Sequence, residues 1–422
     1  MKNQKLTRPA CYAVNVTMSA FAVLSPMLFL TFHELYGISY TLLGTLVLIN
    51  FCTQLGIDLV FSFLSHLFNI RLTVRLLPLI TATGLLVYAI LPPLFPSLAY
   101  LFLAVGTVIA SLSAGLAEVL ISPVVAALPS DDPERDMSIL HSVYAWGVAV
   151  VVLLNTLFLQ LVSHEKWYIL PLLWTAVPLC AAVLFAMADI PSPDTASDAK
   201  NAAGIFRNPL LILCVACIFL GGAAENTMTQ WISGYLEAAV GLDKLWGDVC
   251  GTALFAVMLG LGRSLYARYG KRIDRVLFAG FAGAVICYVT AALSHNAVVG
   301  LAACALTGFC VSMLWPGTLI RTSELLPATG VAVYALLAAG GDLGGSIGPQ
   351  LVGSLTDFVA ENGLCRWIGP ELTSEQLGFR AGMLCAALFP LCGIVVVLVT
   401  NRLVHKNKDT RNIKTESEEK QA

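Results

Sequence analysis

Twelve mostly apolar stretches, each near the length needed to cross a bilayer, follow one another through this 422-residue chain. Lipid offers no partner to an unpaired backbone group, so about 20 apolar residues are stable there only as a helix that satisfies its own N–H and C=O groups. The stretches fall at 11–32, 40–65, 72–91, 97–127, 138–162, 167–188, 210–236, 246–266, 276–293, 297–320, 331–357 and 379–403, and they are numbered here as spans one to twelve. Composition agrees. The chain is 58% hydrophobic and 12% charged, against roughly 25% charge in soluble domains, and its mean hydropathy is +0.81. A disordered chain, a collagen-like fibre and a soluble enzyme on a single anchor are all excluded.

Between spans six and seven the sequence reads DIPSPDTASDAKNAAGIFRN, at 189–208. Its Pro, Ser, Asp and Ala content cannot bury a core, which marks a linker. The expected organisation is a six-helix half over 1–188, a cytoplasmic linker at 189–208, a second six-helix half over 209–404 and a charged, frayed tail at 405–422. The halves look related. Phe68-Asn69-Ile70-Arg71 after span two lines up with Tyr269-Gly270-Lys271-Arg272 after span eight, and spans four and ten each end in a Pro followed by a Leu-Pro. The fold class expected is therefore an all-α membrane protein, with twelve transmembrane helices in two pseudo-symmetric halves.

The first span is too long for the apolar core of a signal peptide and ends in no small-residue cleavage pattern, so the N-terminus is expected to stay attached. With both termini in the cytoplasm, 19 of the 24 Lys and Arg fall on the inside, four (Lys166, Lys244, Arg366 and Arg380) fall outside, and Arg263 stays within a span. Lys and Arg favour the cytoplasmic side, so this orientation is expected over its inverse. The cell membrane, inner or plasma, is the expected location.

A formal charge of −2 leaves no basic surface for nucleic acid. The 12 Cys lie mostly in apolar runs and read as small buried hydrophobes, including the Cys214 and Cys217 of a CxxC that has no redox context. No metal, cofactor or disulfide framework is expected.

A charge at the bilayer centre costs roughly 2.5 to 3.5 kcal/mol even on the lenient insertion scale, so each needs a partner, a wet cavity or a function. Asp58, Glu118, Glu225, Arg263 and Asp342 are the ones to explain. In span two, Asn50, Gln54, Asp58, Ser62 and His66 recur every fourth residue and share one helical face, which must be wet or paired. Asp342, Ser346, Gln350 and Ser354 repeat the arrangement in span eleven, and Ser111, Gly115, Glu118 and Ser122 form a small, polar stripe in span four. Ser and Gly positions of this kind commonly bring helices together in lipid. Carboxylates are harder to read as helix glue, which points to a cavity role for Glu118 and Glu225. For Asp58 and Asp342, pairing or close packing competes evenly with contact to a solute. Arg263, at the inner end of span eight, is expected to extend toward the lipid headgroups. His141 opens span five, where it either sits at the membrane surface or titrates in a coupling role. Among the aromatics, Trp231 lies six residues after Glu225 and is the first candidate to stack on a polar ring, ahead of Trp146, Trp315, Tyr144 and Tyr235.

With these residues in place, the chain resembles the major facilitator superfamily over residues 10 to 404. That superfamily's loop signature, G-x-x-x-D-R-x-G-R-R, keeps Arg268-Tyr269-Gly270-Lys271-Arg272 here, but Ala267 stands at the Asp position and His66 at its counterpart. More specifically, the chain is similar to the fucose-permease-like sugar:proton symporter branch. It has Glu118 five residues before Pro123 in span four, Leu140-His141-Ser142 followed by Gly147 at the start of span five, Glu225 six before Trp231 in span seven, and Gly341-Asp342 with Gly344-Gly345 and Gly348-Pro349 in span eleven. One carboxylate of that branch is missing, since Ala22 stands four residues before Pro26 where the branch has an Asp.

The resemblance implies a secondary active transporter that moves a small polar solute, a sugar or sugar-like metabolite first, by alternating access around a site between the halves, with protons as candidate co-substrate and the lipid bilayer as surroundings. No ATP-binding G-x-x-x-x-G-K-[ST] motif is present, so an ion gradient or the solute's own gradient would supply the energy. The candidate substrate-binding or coupling residues are Glu118, Glu225, Trp231, Asn50, Gln54, Asp58, His141 and Asp342. A monomer is expected. An efflux carrier of the same fold and a non-transporting solute receptor stay open as alternatives. An intramembrane enzyme does not, because His33-Glu34 lacks the second His of H-E-x-x-H and Ala339 breaks a G-x-G-D motif.

Overall fold

The computed structural model describes residues 4–64, 68–131, 133–191, 208–326 and 331–419, and these form one helical assembly. Ten helices among the described residues are long and apolar enough to cross a membrane. Two more, Pro133–Leu161 of 29 residues and Val331–Asn362 of 32, are long enough and occupy the positions expected for spans five and eleven.

Helix starts follow local chemistry. Asn69, Asn208 and Asn296 each accept a hydrogen bond from an amide of the first turn, and Pro209 takes the position where a missing N–H costs nothing. Thr373 and Gln376 form a reciprocal capping box at the start of Ser374–Ala386. Breaks also follow sequence. Span one stops at Met27 next to Pro26 and resumes at Phe29, and span ten stops at Val311 and resumes at Leu314, just before Pro316. A proline removes one helical donor and its ring crowds the carbonyl four residues back. The helix of span twelve continues to Glu419, where a frayed tail was expected. No Gly or Pro follows Gly393 in that stretch to stop it.

Span eleven packs along spans two and seven, and span four packs along spans two and three. Glycine makes the contact between spans seven and eleven close. A methyl group at Gly344 would collide with the Phe219 carbonyl, and one at Gly222 would lie against the Gly341 carbonyl. The two ends of the bundle differ. At the end away from the chain termini, Tyr40, Trp231, Phe379 and Phe29 form an aromatic plug with ring centroids 4.7 to 6.1 Å apart. It draws on spans one and two from one side and on spans seven and twelve from the other.

Candidate functional site

Charged and polar residues from spans two, four, five, seven, eight and eleven lie within electrostatic range of one another. Glu118 is exposed, and no hydrogen bond or ion pair holds it among the described residues. It is nevertheless within electrostatic range of Asp58 on span two, Tyr144 on span five and Asp342 on span eleven. Glu118 is thus exposed while groups from three other spans lie within range of it. Tyr144, 37% exposed, also lies in range of Glu225 and Arg263 from spans seven and eight, so it stands between the acids of both sets of helices.

Glu225 and Arg263 form an ion pair across spans seven and eight, with Nη2 to Oε1 at 3.3 Å and the side chains 16% and 44% exposed. This corrects the expectation for Arg263, whose guanidinium does not reach for the headgroups. Its Nε donates instead to the Ser312 carbonyl at 3.1 Å. That carbonyl is available because the residue four positions on is Pro316, which has no N–H to give it. A kink in span ten thus supplies an anchor for a charge in span eight. The second carboxylate oxygen of Glu225, Oε2, is buried with no hydrogen-bond partner among the described residues, as are Oδ1 of Asp58 and Oδ2 of Asp342, the last on a residue only 6% exposed. Buried acceptors in this condition are open to a proton or to a donor from a solute.

Asn50 and Gln54 do a different job. The Asn50 side-chain oxygen accepts from Ser111 Oγ of span four at 2.6 Å and from Gln54 Nε2 at 3.0 Å, so in this conformation the pair joins spans two and four. Trp231 likewise departs from the stacking role expected of it. It is fully buried in the aromatic plug, its indole donates to the Pro349 carbonyl at 2.9 Å, and it presents no face to a solute. The side chains of His141 and Ser62, and the whole of His66, lie outside the described residues.

Two groups escaped the sequence reading. Asp248 opens span eight with no exposure at all, accepting from Ser233 and, at 3.2 Å, from Thr156 of span five. The local signal that could have found it is Lys244 four residues earlier, which stands 3.7 Å away. Asp357 ends span eleven and accepts the first two amides of span two, and nothing in its own segment points to a partner 317 positions away.

The model of the Major Facilitator Superfamily matches residues 10–349. This chain belongs to that superfamily. It is an integral membrane transporter and not an enzyme, with the major facilitator fold of its relatives. Solved structures similar to this major facilitator chain include a bacterial homologue of the human lysosomal transporter Spinster in an inward-facing, occupied conformation, with a TM-score of 0.71, 14% identity, and coverage of 95% of this chain and 98% of the other. The nucleoside transporter NupG aligns with a TM-score of 0.70 at 13% identity, covering 95% and 99%. The Escherichia coli fucose:proton symporter FucP aligns with a TM-score of 0.61 at 15% identity, covering 93% and 98%. At these identities the likeness carries the fold. Comparison with curated protein sequences gives no match.

Proposed function

We propose that this major facilitator protein is a secondary active carrier of a small polar solute, with a sugar or sugar-like metabolite as the leading class and protons as the coupling ion. The observation that carries the reading is Glu118, which is exposed, has no hydrogen bond or ion pair among the described residues, and lies within electrostatic range of groups on spans two, five and eleven, with Tyr144 linking it to the Glu225–Arg263 pair; we take these groups to line a chamber. Such a chamber offers free carboxylate acceptors for solute hydroxyls, a guanidinium with exposed edges, and a phenol at Tyr144 that can both give and accept. Asp58 and Asp342 lie within electrostatic range of each other and of Glu118, and a bound proton or a donor from the solute would satisfy the oxygens that have no partner among the described residues.

In this reading the segments 1–188 and 209–404 are the two rocking halves and 189–208 is the cytoplasmic linker between them. Both termini face the cytoplasm, and a monomer in the cell membrane is the working unit. The aromatic plug then closes the outer side, and the chamber opens inward. Support for a sugar-like solute comes from the spacing shared with the fucose-permease-like branch, and FucP and a D-xylose–proton symporter are among the structural neighbours. Ala22, in place of that branch's span-one Asp, moves any proton coupling onto the remaining acids.

The test is a thermal-stability panel of sugars, sugar acids, nucleosides and amino acids on the purified protein, since a ligand that prefers the folded state raises the melting temperature. A hydroxylated solute that stabilises the native chain and not Glu118→Gln supports the assignment. Stabilisation of both to the same extent places the solute elsewhere.

A further inference from the structure

The closed end of the bundle contains a helix start that is completed from across the molecule. Span two begins at Tyr40, and the first four N–H groups of any helix have no partner within it. Here each can be followed. Leu43 donates to the Ser39 carbonyl at 3.0 Å, and Leu42 donates to the Ser39 side chain at 3.3 Å, so the local cap serves the third and fourth amides. The first two go to a single carboxylate on span eleven, Tyr40 N to Asp357 Oδ1 at 3.1 Å and Thr41 N to Asp357 Oδ2 at 2.6 Å.

The same two residues are held from the second set of helices by three further contacts. The Tyr40 hydroxyl donates to Glu375 at the start of span twelve, and Gln350 Nε2 donates to the Thr41 carbonyl at 3.3 Å. Gly353 lets the Tyr40 carbonyl lie directly against span eleven, where any larger residue would collide. Further along, span two keeps one open face. Cys52 and Gly56 are exposed, and a methyl group on Gly56 would meet nothing within 4 Å. One helix is therefore clamped at its first turn and carries an exposed face further along.

We infer that Asp357 is a detachable cap, a residue that sets the position of the gate by lending span two the acceptors its own segment lacks. When the halves separate at this end, the two amides lose a charged acceptor that matches both their hydrogen bonds and the positive end of the helix dipole. Opening thus carries a fixed cost localised in one side chain, and that cost biases the carrier toward the conformation with this end shut. The inference rests on the carrier reading for its meaning, but the cap itself is a conformational property that needs no solute to be seen.

The experiment uses the full-length protein in sealed vesicles of known orientation, with the native cysteines replaced and one reporter introduced by Leu30→Cys, at a buried position of span one that packs against Gly234 of span seven beside the plug. A membrane-impermeant maleimide is added from the side opposite the chain termini, and the rate at which the Leu30→Cys reporter is modified measures opening of the gate. Removing a charged helix cap shifts an opening equilibrium by on the order of tenfold, so Asp357→Ala should raise the rate by about that factor. Asp357→Asn keeps the size of the side chain and one acceptor oxygen, and should give a smaller rise in the same direction. It carries the test if the alanine variant does not fold. Glu361→Ala, an exposed acid one turn further on, should leave the rate unchanged. An unaltered rate in a folded Asp357 variant, or an equal rise in Glu361→Ala, overturns the cap. Loss of solute uptake by the native chain with the labelling shift intact counts against the carrier reading alone.

Discussion

Arg263 donates its Nε proton to the Ser312 carbonyl at 3.1 Å, and the same guanidinium reaches Glu225 at 3.3 Å. One charged side chain thereby ties span eight to a kink in span ten and to the acid of span seven. Arg263→Gln should lower solute uptake at least tenfold with only a modest loss of stability, about 1 kcal/mol, because the exposed guanidinium is partly screened by solvent. Uptake assays and melting curves on the same preparation separate the two effects, and a folded variant with native uptake removes Arg263 from the site.

The Trp231 plug predicts the opposite pattern. Trp231→Ala leaves a cavity among Phe29, Tyr40 and Phe379 and should cost about 3 kcal/mol, whereas Trp231→Phe loses mainly the hydrogen bond to Pro349, about 1 kcal/mol. Both should bind solute with nearly native affinity when measured by titration. A tenfold loss of affinity in the folded Trp231→Phe variant would restore the stacking role.

Those two residues show what the sequence could and could not say. The spans, their order and the glycine packing of span eleven are written in local period and residue type. Arg263 and Trp231 were misplaced because their roles depend on which helix stands opposite, and hydropathy alone does not encode helix neighbours. Asp357 was missed for the same reason, since its partners are backbone amides 316 and 317 positions away.

A pair of glycine substitutions tests the helix packing. Gly344→Ala places a methyl against the Phe219 carbonyl and should destabilise the protein by about 1–3 kcal/mol. Gly56→Ala meets nothing within 4 Å and should be neutral or stabilise by roughly 0.5 kcal/mol. Melting temperatures that fail to separate the two variants would contradict the close approach of spans seven and eleven.

Arg380 supplies a structural control outside the chamber. Its guanidinium is buried and donates to the carbonyls of Ala292 at 3.1 Å, Ser294 at 2.6 Å and Ala239 at 3.3 Å, covering the ends of spans seven and nine. Arg380→Ala leaves those acceptors to be satisfied elsewhere and should cost about 3 kcal/mol or more. The yield of folded protein should fall while residual molecules keep native solute affinity, measured by titration of the surviving fraction.

The most direct test of the carrier account is uptake into reconstituted vesicles, with and without an imposed proton gradient, of whichever solute stabilises the purified protein. The native chain should accumulate the solute when the gradient is applied, and Glu118→Gln, inserted and folded to the same extent, should lose that accumulation. Binding without flux in the native chain, or undiminished gradient-driven uptake in Glu118→Gln, contradicts the account.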